Sequence, residues 1–258
     1  MKLTCNYNTS IHFLSFLCCM KLLLCINRFS DFKLMIDRVA AHGDHAAALP
    51  DPLSGHFIYS VRYLQHEIDI CATGYGLFQS AYKITKTITQ KKYHLALKVS
   101  LCNAYKPDLQ IGEMVNVIKD KPGDLGSPAT ILSGGEGEEI FADAYDLGWL
   151  DREGFPHFKG AFINMNNSYM NVMMPFRKVV SATVSQYGDT EKYTARRDRY
   201  KADIETTDGL GFVYACMCER QPFYQLCCVE RNLATGANDP EKAASKMNEI
   251  LFDILQKL

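Results

Sequence analysis

The sequence predicts an α/β fold: a single domain with a central twisted, mixed β-sheet flanked by helices. Three observations point there. Short apolar runs of strand length alternate with longer helix-length runs along most of the chain. Residues 201–228 set Asp208-Gly209 at the head of a small-residue helix that leads through Pro222 into an apolar strand. At 258 residues the chain is long enough to bury a sizeable core.

The elements follow in order. Residues 22–26 form a buried first strand and 31–41 a helix, while 42–55, with Pro50 and Pro52, is loop-like. Residues 57–62 and 66–72 are two strands, the second ending at Thr73-Gly74-Tyr75-Gly76, and 77–90 is a helix. Residues 95–100 are an apolar run with few charges, hence a buried strand, and 114–119 are another strand. Residues 120–162, rich in Gly and Pro and holding Trp149, are expected to be a long excursion with short elements. A strand at 179–185 precedes a charged helix at 190–200. A short strand at 203–205, a helix at 209–219 and a strand at 223–229 come next. Residues 240–258 close the chain as an amphipathic helix, with Met247, Ile250, Leu251, Ile254 and Leu258 along one stripe.

The apolar stretch at 10–26 is interrupted by Lys21 and is short for a membrane span, and no small-residue cleavage signal follows it. Residues 1–19 are therefore expected to be an extension outside the fold, and 20–258 the domain. A formal charge of −1 gives no reason to expect a nucleic-acid or acidic-membrane partner. The ten cysteines make no zinc-ribbon or CxxC pattern and mostly sit in apolar runs. There free Cys behaves as a small hydrophobe, which suits a reducing compartment and hence the cytoplasm. His42 and His45 have no further ligands at metal spacing. No metal and no organic cofactor is expected, and nothing suggests a Ser/His/Asp triad or a Walker loop.

In open α/β sheets ligands bind beyond the carboxyl ends of the strands. The turns at 27–29, 74–76, 100–105, 185–188, 206–209 and 230–232 are thus expected to converge on one site. Within them Asp208 is the prime ligand-facing candidate, because a carboxylate accepts two hydrogen bonds at once and suits the vicinal diol of a ribose. Gly209 and Gly211 let other backbone come close, and Gly74 and Gly76 make a tight strand-to-helix turn.

Four stretches carry a resemblance: CATGYGLFQSAYKITK at 71–86, LQIGEMVNVIKDKPGDLG at 109–126, YDLGWLDREGFP at 145–156, and IETTDGLGFVYACMCERQPFYQL at 204–226. In these the chain resembles the nucleoside phosphorylase/nucleosidase superfamily, and within it futalosine hydrolase. The resemblance implies cleavage of a purine nucleoside at its glycosidic bond through an oxocarbenium-like sugar. An acid protonates the leaving purine and a carboxylate activates water. For futalosine, a precursor of menaquinone, the products would be hypoxanthine and dehypoxanthine futalosine. The resemblance places Asp208 at the ribose-binding carboxylate position, where Glu is usual, with Thr207 beside it where Met is usual.

The chain departs from the pattern elsewhere. Phe29 stands where the water-activating Glu is expected, with Asp31 the nearby substitute. The Gly-rich segment reads Ser100-Leu101-Cys102-Asn103-Ala104-Tyr105, and Arg231 holds the acid position, with Glu230 the only neighbouring acid. Phe29 and Tyr105 are aromatic candidates to stack on a base. The expectation is a nucleosidase using Asp208, Thr207, Gly74 and Gly76 for substrate, with Asp31 and Glu230 as substitute base and acid, assembled as a homo-oligomer. The alternatives are a homologue that binds a nucleoside without turning it over, and a phosphorylase.

Overall fold

A computed structural model describes residues 19–43, 57–133, 136–164, 170–187 and 197–258, with no side-chain description for 128–140. The expected extension at 1–19 lies outside the described residues except for Cys19. So do the loop expected at 42–55, except for His42 and Gly43, and the first part of the helix expected at 190–200.

The strands are β1 (Lys21–Ile26), β2 (Ile58–Tyr63), β3 (His66–Ala72), β4 (Leu95–Ala104), β5 (Met114–Pro122), β6 (Gly126–Ser133), β7 (Glu136–Asp143), β8 (Phe162–Ile163), β9 (Arg177–Thr183), β10 (Ile204–Thr206) and β11 (Phe223–Asn232). The helices are α1 (Lys33–His42), α2 (Leu77–Gln90), α3 (Gly209–Cys218) and α4 (Pro240–Lys257). Nine strands form one mixed sheet in the order β10-β9-β5-β11-β4-β1-β3-β2, with β8 on β5. Because β10 also pairs antiparallel with the far end of β4, the strands β4, β11, β5, β9 and β10 close on themselves. The apolar residues Val115, Val117, Val179, Ile204, Cys227 and Val229 form a core of their own on these strands.

Helices cover both faces, as the alternation of elements predicts. On one face α1 and α4 bury Met35, Ile36, Val39, Met247, Leu251 and Ile254 against Leu22, Leu24, Leu97 and Leu226. On the other, α2 and α3 bury Ile84, Ile88, Phe212 and Val213 against Leu23, Cys25 and Ala96. Residues from β1 fall in both clusters, which is why the run 22–26 is apolar throughout. The crossing of α2 and α3 depends on Gly211: a Cβ there would stand 2.9 Å from the Leu77 carbonyl oxygen and 3.1 Å from the Ala81 nitrogen. The last helix is capped by Asp239, whose carboxylate accepts the Lys242 N–H at 3.0 Å, and starts on Pro240.

Two expectations need correction. The segment 100–105 is no loop: β4 runs on to Ala104, held by β11 on one side and by Ile204 and Glu205 of β10 on the other. The excursion at 120–162 contains a long antiparallel hairpin, β6–β7, pairing Gly126 with Asp143 through Ser133 with Glu136. Its Gly and Pro content hid that regularity. The described cysteines are all free, and most are buried. Among the described residues no helix is long and apolar enough to cross a membrane, and no group of His, Cys, Asp and Glu could hold a metal ion.

Candidate active site

The carboxyl ends of β1, β3, β4, β9, β10 and β11 do converge. They enclose a cavity of ≈ 60 Å³ lined by Asn27, Asp31, Phe32, Tyr75, Leu101, Tyr187, Thr207, Asp208, Glu230 and Met247. Five of the six turns singled out in the sequence each supply at least one wall residue, the sixth segment contributes Leu101 from within β4, and α4 supplies Met247.

Asp208 sits at the head of α3 and is 2 % exposed, yet it does not cap the helix with its side chain. Its Oδ2 accepts from Lys98 Nζ at 2.6 Å and from Asn27 Nδ2 at 2.9 Å. Lys98, in the middle of β4, is fully buried, so the pair is an ion pair sealed from water on the lysine side. Among the described residues no hydrogen bond is made to Asp208 Oδ1. Glu205, three residues earlier, points elsewhere: Asn103 and Tyr105 donate to its carboxylate at 2.9 and 2.5 Å, and it does not line the cavity.

Asp31 belongs to a short 3-10 turn (Phe29–Phe32) ahead of α1, and its side chain is only 15 % exposed. Arg28 grips it with Nε on Oδ2 at 3.2 Å and Nη2 on Oδ1 at 2.9 Å. Ser30 adds its hydroxyl to Oδ1 and Tyr75 its phenol to Oδ2. A carboxylate offers about four acceptor positions. All of those on Asp31 are therefore engaged.

Glu230 reaches the cavity by a bulge. Along β11 and β4, Val229 pairs with Cys102 and Arg231 with Asn103, leaving Glu230 as the extra residue. The bulge re-aims the chain, so that Glu230 lines the cavity while Arg231, at the position the resemblance assigns to the acid, is exposed. Among the described residues the Glu230 carboxyl has no hydrogen-bond donor. Burial first, and the Asp31 charge second, raise it above the usual carboxyl range. The Tyr187 phenol is also pushed well above its ordinary value, by burial and then by Glu230 and Asp208.

The remaining expected residues fall as follows. Thr207 lines the cavity beside Asp208. Gly74 and Gly76 take φ of +81° and +82°, the left-handed turn that aims Tyr75, between them, at the cavity. The glycines themselves are not wall residues; the Gly74 carbonyl accepts from Asn27 Nδ2 at 3.3 Å. Neither stacking candidate reaches the site: Phe29 packs on the core and Tyr105 is fully buried against Glu205. Lys98 was missed, because the run around it looked apolar. A lone lysine inside a buried strand was the available signal, since such a charge needs a buried partner.

No protein-family model and no curated protein sequence matches the chain. Solved structures do. The 5′-methylthioadenosine/S-adenosylhomocysteine nucleosidase of Campylobacter jejuni superposes with a TM-score of 0.68 at 16% identity, over 93% of this chain and 100% of that one. The Streptococcus pneumoniae enzyme, solved with 8-aminoadenine, gives 0.70 at 13% identity over 93% and 100%. A Helicobacter pylori futalosine hydrolase mutant gives 0.63 at 14% over the same shares. The chain thus shares the fold of these nucleosidase and futalosine hydrolase structures.

Proposed function

We propose that the protein is a purine nucleosidase that cleaves an N-ribosyl bond with water, with futalosine as its substrate in a menaquinone route, working in the cytoplasm as a homo-oligomer. The observation that carries the reading is the gathering of Asp208 and Glu230 at one cavity at the carboxyl ends of the strands. In this scheme Asp208 Oδ1 accepts sugar hydroxyls beside Thr207, and its charge stabilises the positive sugar as the bond breaks. The electron pair of the glycosidic bond leaves with the purine, and Glu230 protonates that base. Water adds to the sugar carbon, and Glu230, now a carboxylate, takes the water's proton back. Asp31 acts as the base only by surrendering one of its four bonds, so Glu230 is the better carrier of the proton.

A second reading, binding without turnover, is favoured by one observation: Lys98 neutralises Asp208. In either reading wall side chains must move to admit a nucleoside, because a cavity of ≈ 60 Å³ holds only a few waters. A phosphorylase is less well supported, since Arg28 is committed to Asp31 and Lys98 to Asp208.

The test is release of free purine from futalosine, inosine and 5′-methylthioadenosine by the purified chain, with and without phosphate. Phosphate-independent release is expected, falling about 10²- to 10⁴-fold in Glu230→Gln. Tight binding by calorimetry with no release would favour the second reading, and release only with phosphate the third. Absence of both binding and release would end the nucleoside reading.

A further inference from the structure

At the end of the sheet away from the cavity, the start of β1 is held by two imidazoles. The Met20 N–H donates to His66 Nδ1 at 3.3 Å, and the Lys21 N–H donates to His94 Nδ1 at 2.8 Å. His66 is the first residue of β3, and His94 immediately precedes β4, the two strands that flank β1. The rings thus supply acceptors where the neighbouring strands are only beginning. The carbonyls of the same two residues are held by backbone: Met20 accepts from the Glu67 N–H and Lys21 from the His94 N–H, both at 2.9 Å.

An imidazole accepts at Nδ1 only while it is neutral with its proton on Nε2; once protonated it donates from both nitrogens. His66 is 3 % exposed, and its Nε2 is sealed with no hydrogen-bond partner among the described residues. A second proton on that ring sets a charge in a closed space and points an N–H at the N–H of Met20, so the ring gains it only by parting from the strand.

We propose that His66 and His94 form an acid-released clip on the entry of β1: proton uptake by the two imidazoles frees the chain at Met20 and Lys21 while the rest of the strand stays in the sheet. The inference stands apart from the nucleosidase reading. Opening stops at Leu22, because Leu22–Cys25 are buried and paired with both β3 and β4.

The charged groups at this end are Lys21 itself, Glu67 of β3, which lies 3.9 Å from Lys21 and 3.7 Å from Arg62 of β2, and Lys92 in the α2–β4 turn. From β2, Tyr63 pairs with His66 across the hairpin. Among the described residues none of these makes an ion pair or a side-chain hydrogen bond to either ring. Burial alone lowers His66 from its ordinary 6.5. With the folded value below the unfolded one, the contribution of its bond is whole above 6.5 and is lost as pH falls through the folded value.

The experiment is amide hydrogen exchange by NMR on the full ligand-free chain from about pH 8 to about pH 5, the range in which imidazoles take up a proton. Protection of the Met20 and Lys21 amides, relative to an unstructured chain at the same pH, is expected to fall about 10- to 100-fold. Protection of Leu23 and Leu24 should hold. In the double variant His66→Asn, His94→Asn the side-chain oxygen stands about where Nδ1 stood and does not titrate, so protection at Met20 and Lys21 should be flat. If His66→Asn does not fold, His94→Asn alone keeps the test open, since only Lys21 should then lose its response to pH. Protection that stays flat in the natural protein, falls alike in a folded variant, or falls together with that of Leu23 and Leu24 overturns the proposal. So does an imidazole nitrogen spectrum that puts the His66 proton on Nδ1 at the alkaline end.

Discussion

Two carboxylates lie beneath the first turn of α3, equally buried and differently served. Asp208 is 2 % exposed and receives a cation and an amide, from Lys98 and Asn27. Asp120, on β5, is 1 % exposed and receives only neutral donors. The Thr183 hydroxyl lies at 3.0 and 3.1 Å from its two oxygens, the Lys121 backbone N–H at 2.9 Å and the Gln225 amide at 3.4 Å. Burial pushes Asp120 up to about 6 in spite of those bonds. Neutral donors alone do not replace the hydration a buried charge gives up, whereas a buried lysine supplies the opposite charge outright. The two also differ in where they lie: Asp208 lines the cavity, and Asp120 does not.

The sharpest way to break that comparison is to remove the cation. Lys98→Met should destabilise the protein by about 3–5 kcal/mol, the usual penalty for stranding one member of a buried ion pair. Chemical denaturation of the single variants Lys98→Met and Asp208→Asn and of the double variant measures the coupling between them. The double variant should recover most of the loss. A Lys98→Met protein that loses less than about 1 kcal/mol would mean that Asp208 does as well without its partner as Asp120 does, and the contrast would collapse.

Asp120 gives the next largest effect, and its sign is fixed by the direction of its shift. Its folded value is raised from 3.8 to about 6, so between those values the native state holds a proton that the unfolded chain has released. Stability from this group is complete below the unfolded value, declines as pH rises through the window, and is lost above the folded value. The decline is on the order of 3 kcal/mol. Asp120→Asn cannot titrate, so its stability relative to the natural protein should improve as pH rises from about 4 to about 7. Urea midpoints for the two proteins across that range are the measurement. A difference that stays flat with pH would show that Asp120 keeps its charge at little cost.

The same comparison shows what the sequence could and could not disclose. The strands and helices were legible because their periodicities are local: the apolar run of β1, the stripe on α4 and the turn residues around Gly74 each declare themselves within a few positions. The convergence of the strand ends followed from the α/β rule. The pairings that decide chemistry were not legible, because they join residues far apart in the chain, as Lys98 and Asp208 are, or Arg28, Asp31 and Tyr75. The bulge at Glu230 was hidden for a related reason. A shift of register between β11 and β4 leaves no mark on either strand alone, yet it decides whether residue 230 or 231 enters the site. The barrel closure that extends β4 to Ala104 depends on β10, a hundred residues onward.

The smallest of these effects tests whether the two clusters are independent. Gly209 lies between them, and a Cβ there would meet the Gln225 amide nitrogen, Asp120 Oδ2 at 2.7 Å and Thr206 Oγ1 at 2.8 Å. All three are buried side-chain atoms on the Asp120 side, Asp120 and Gln225 within one hydrogen-bonded cluster and Thr206 β-branched and bonded to Thr183. Gly209→Ala is therefore expected to cost about 1–3 kcal/mol. Adding Gln225→Ala removes one of the crowded atoms and should recover part of the loss. The Lys98–Asp208 coupling energy, measured by the same double-variant cycle in the Gly209→Ala background, should be unchanged. If that coupling falls together with the overall stability, the two carboxylates share one network beneath α3, and the neutral cluster helps to hold the charged one in place.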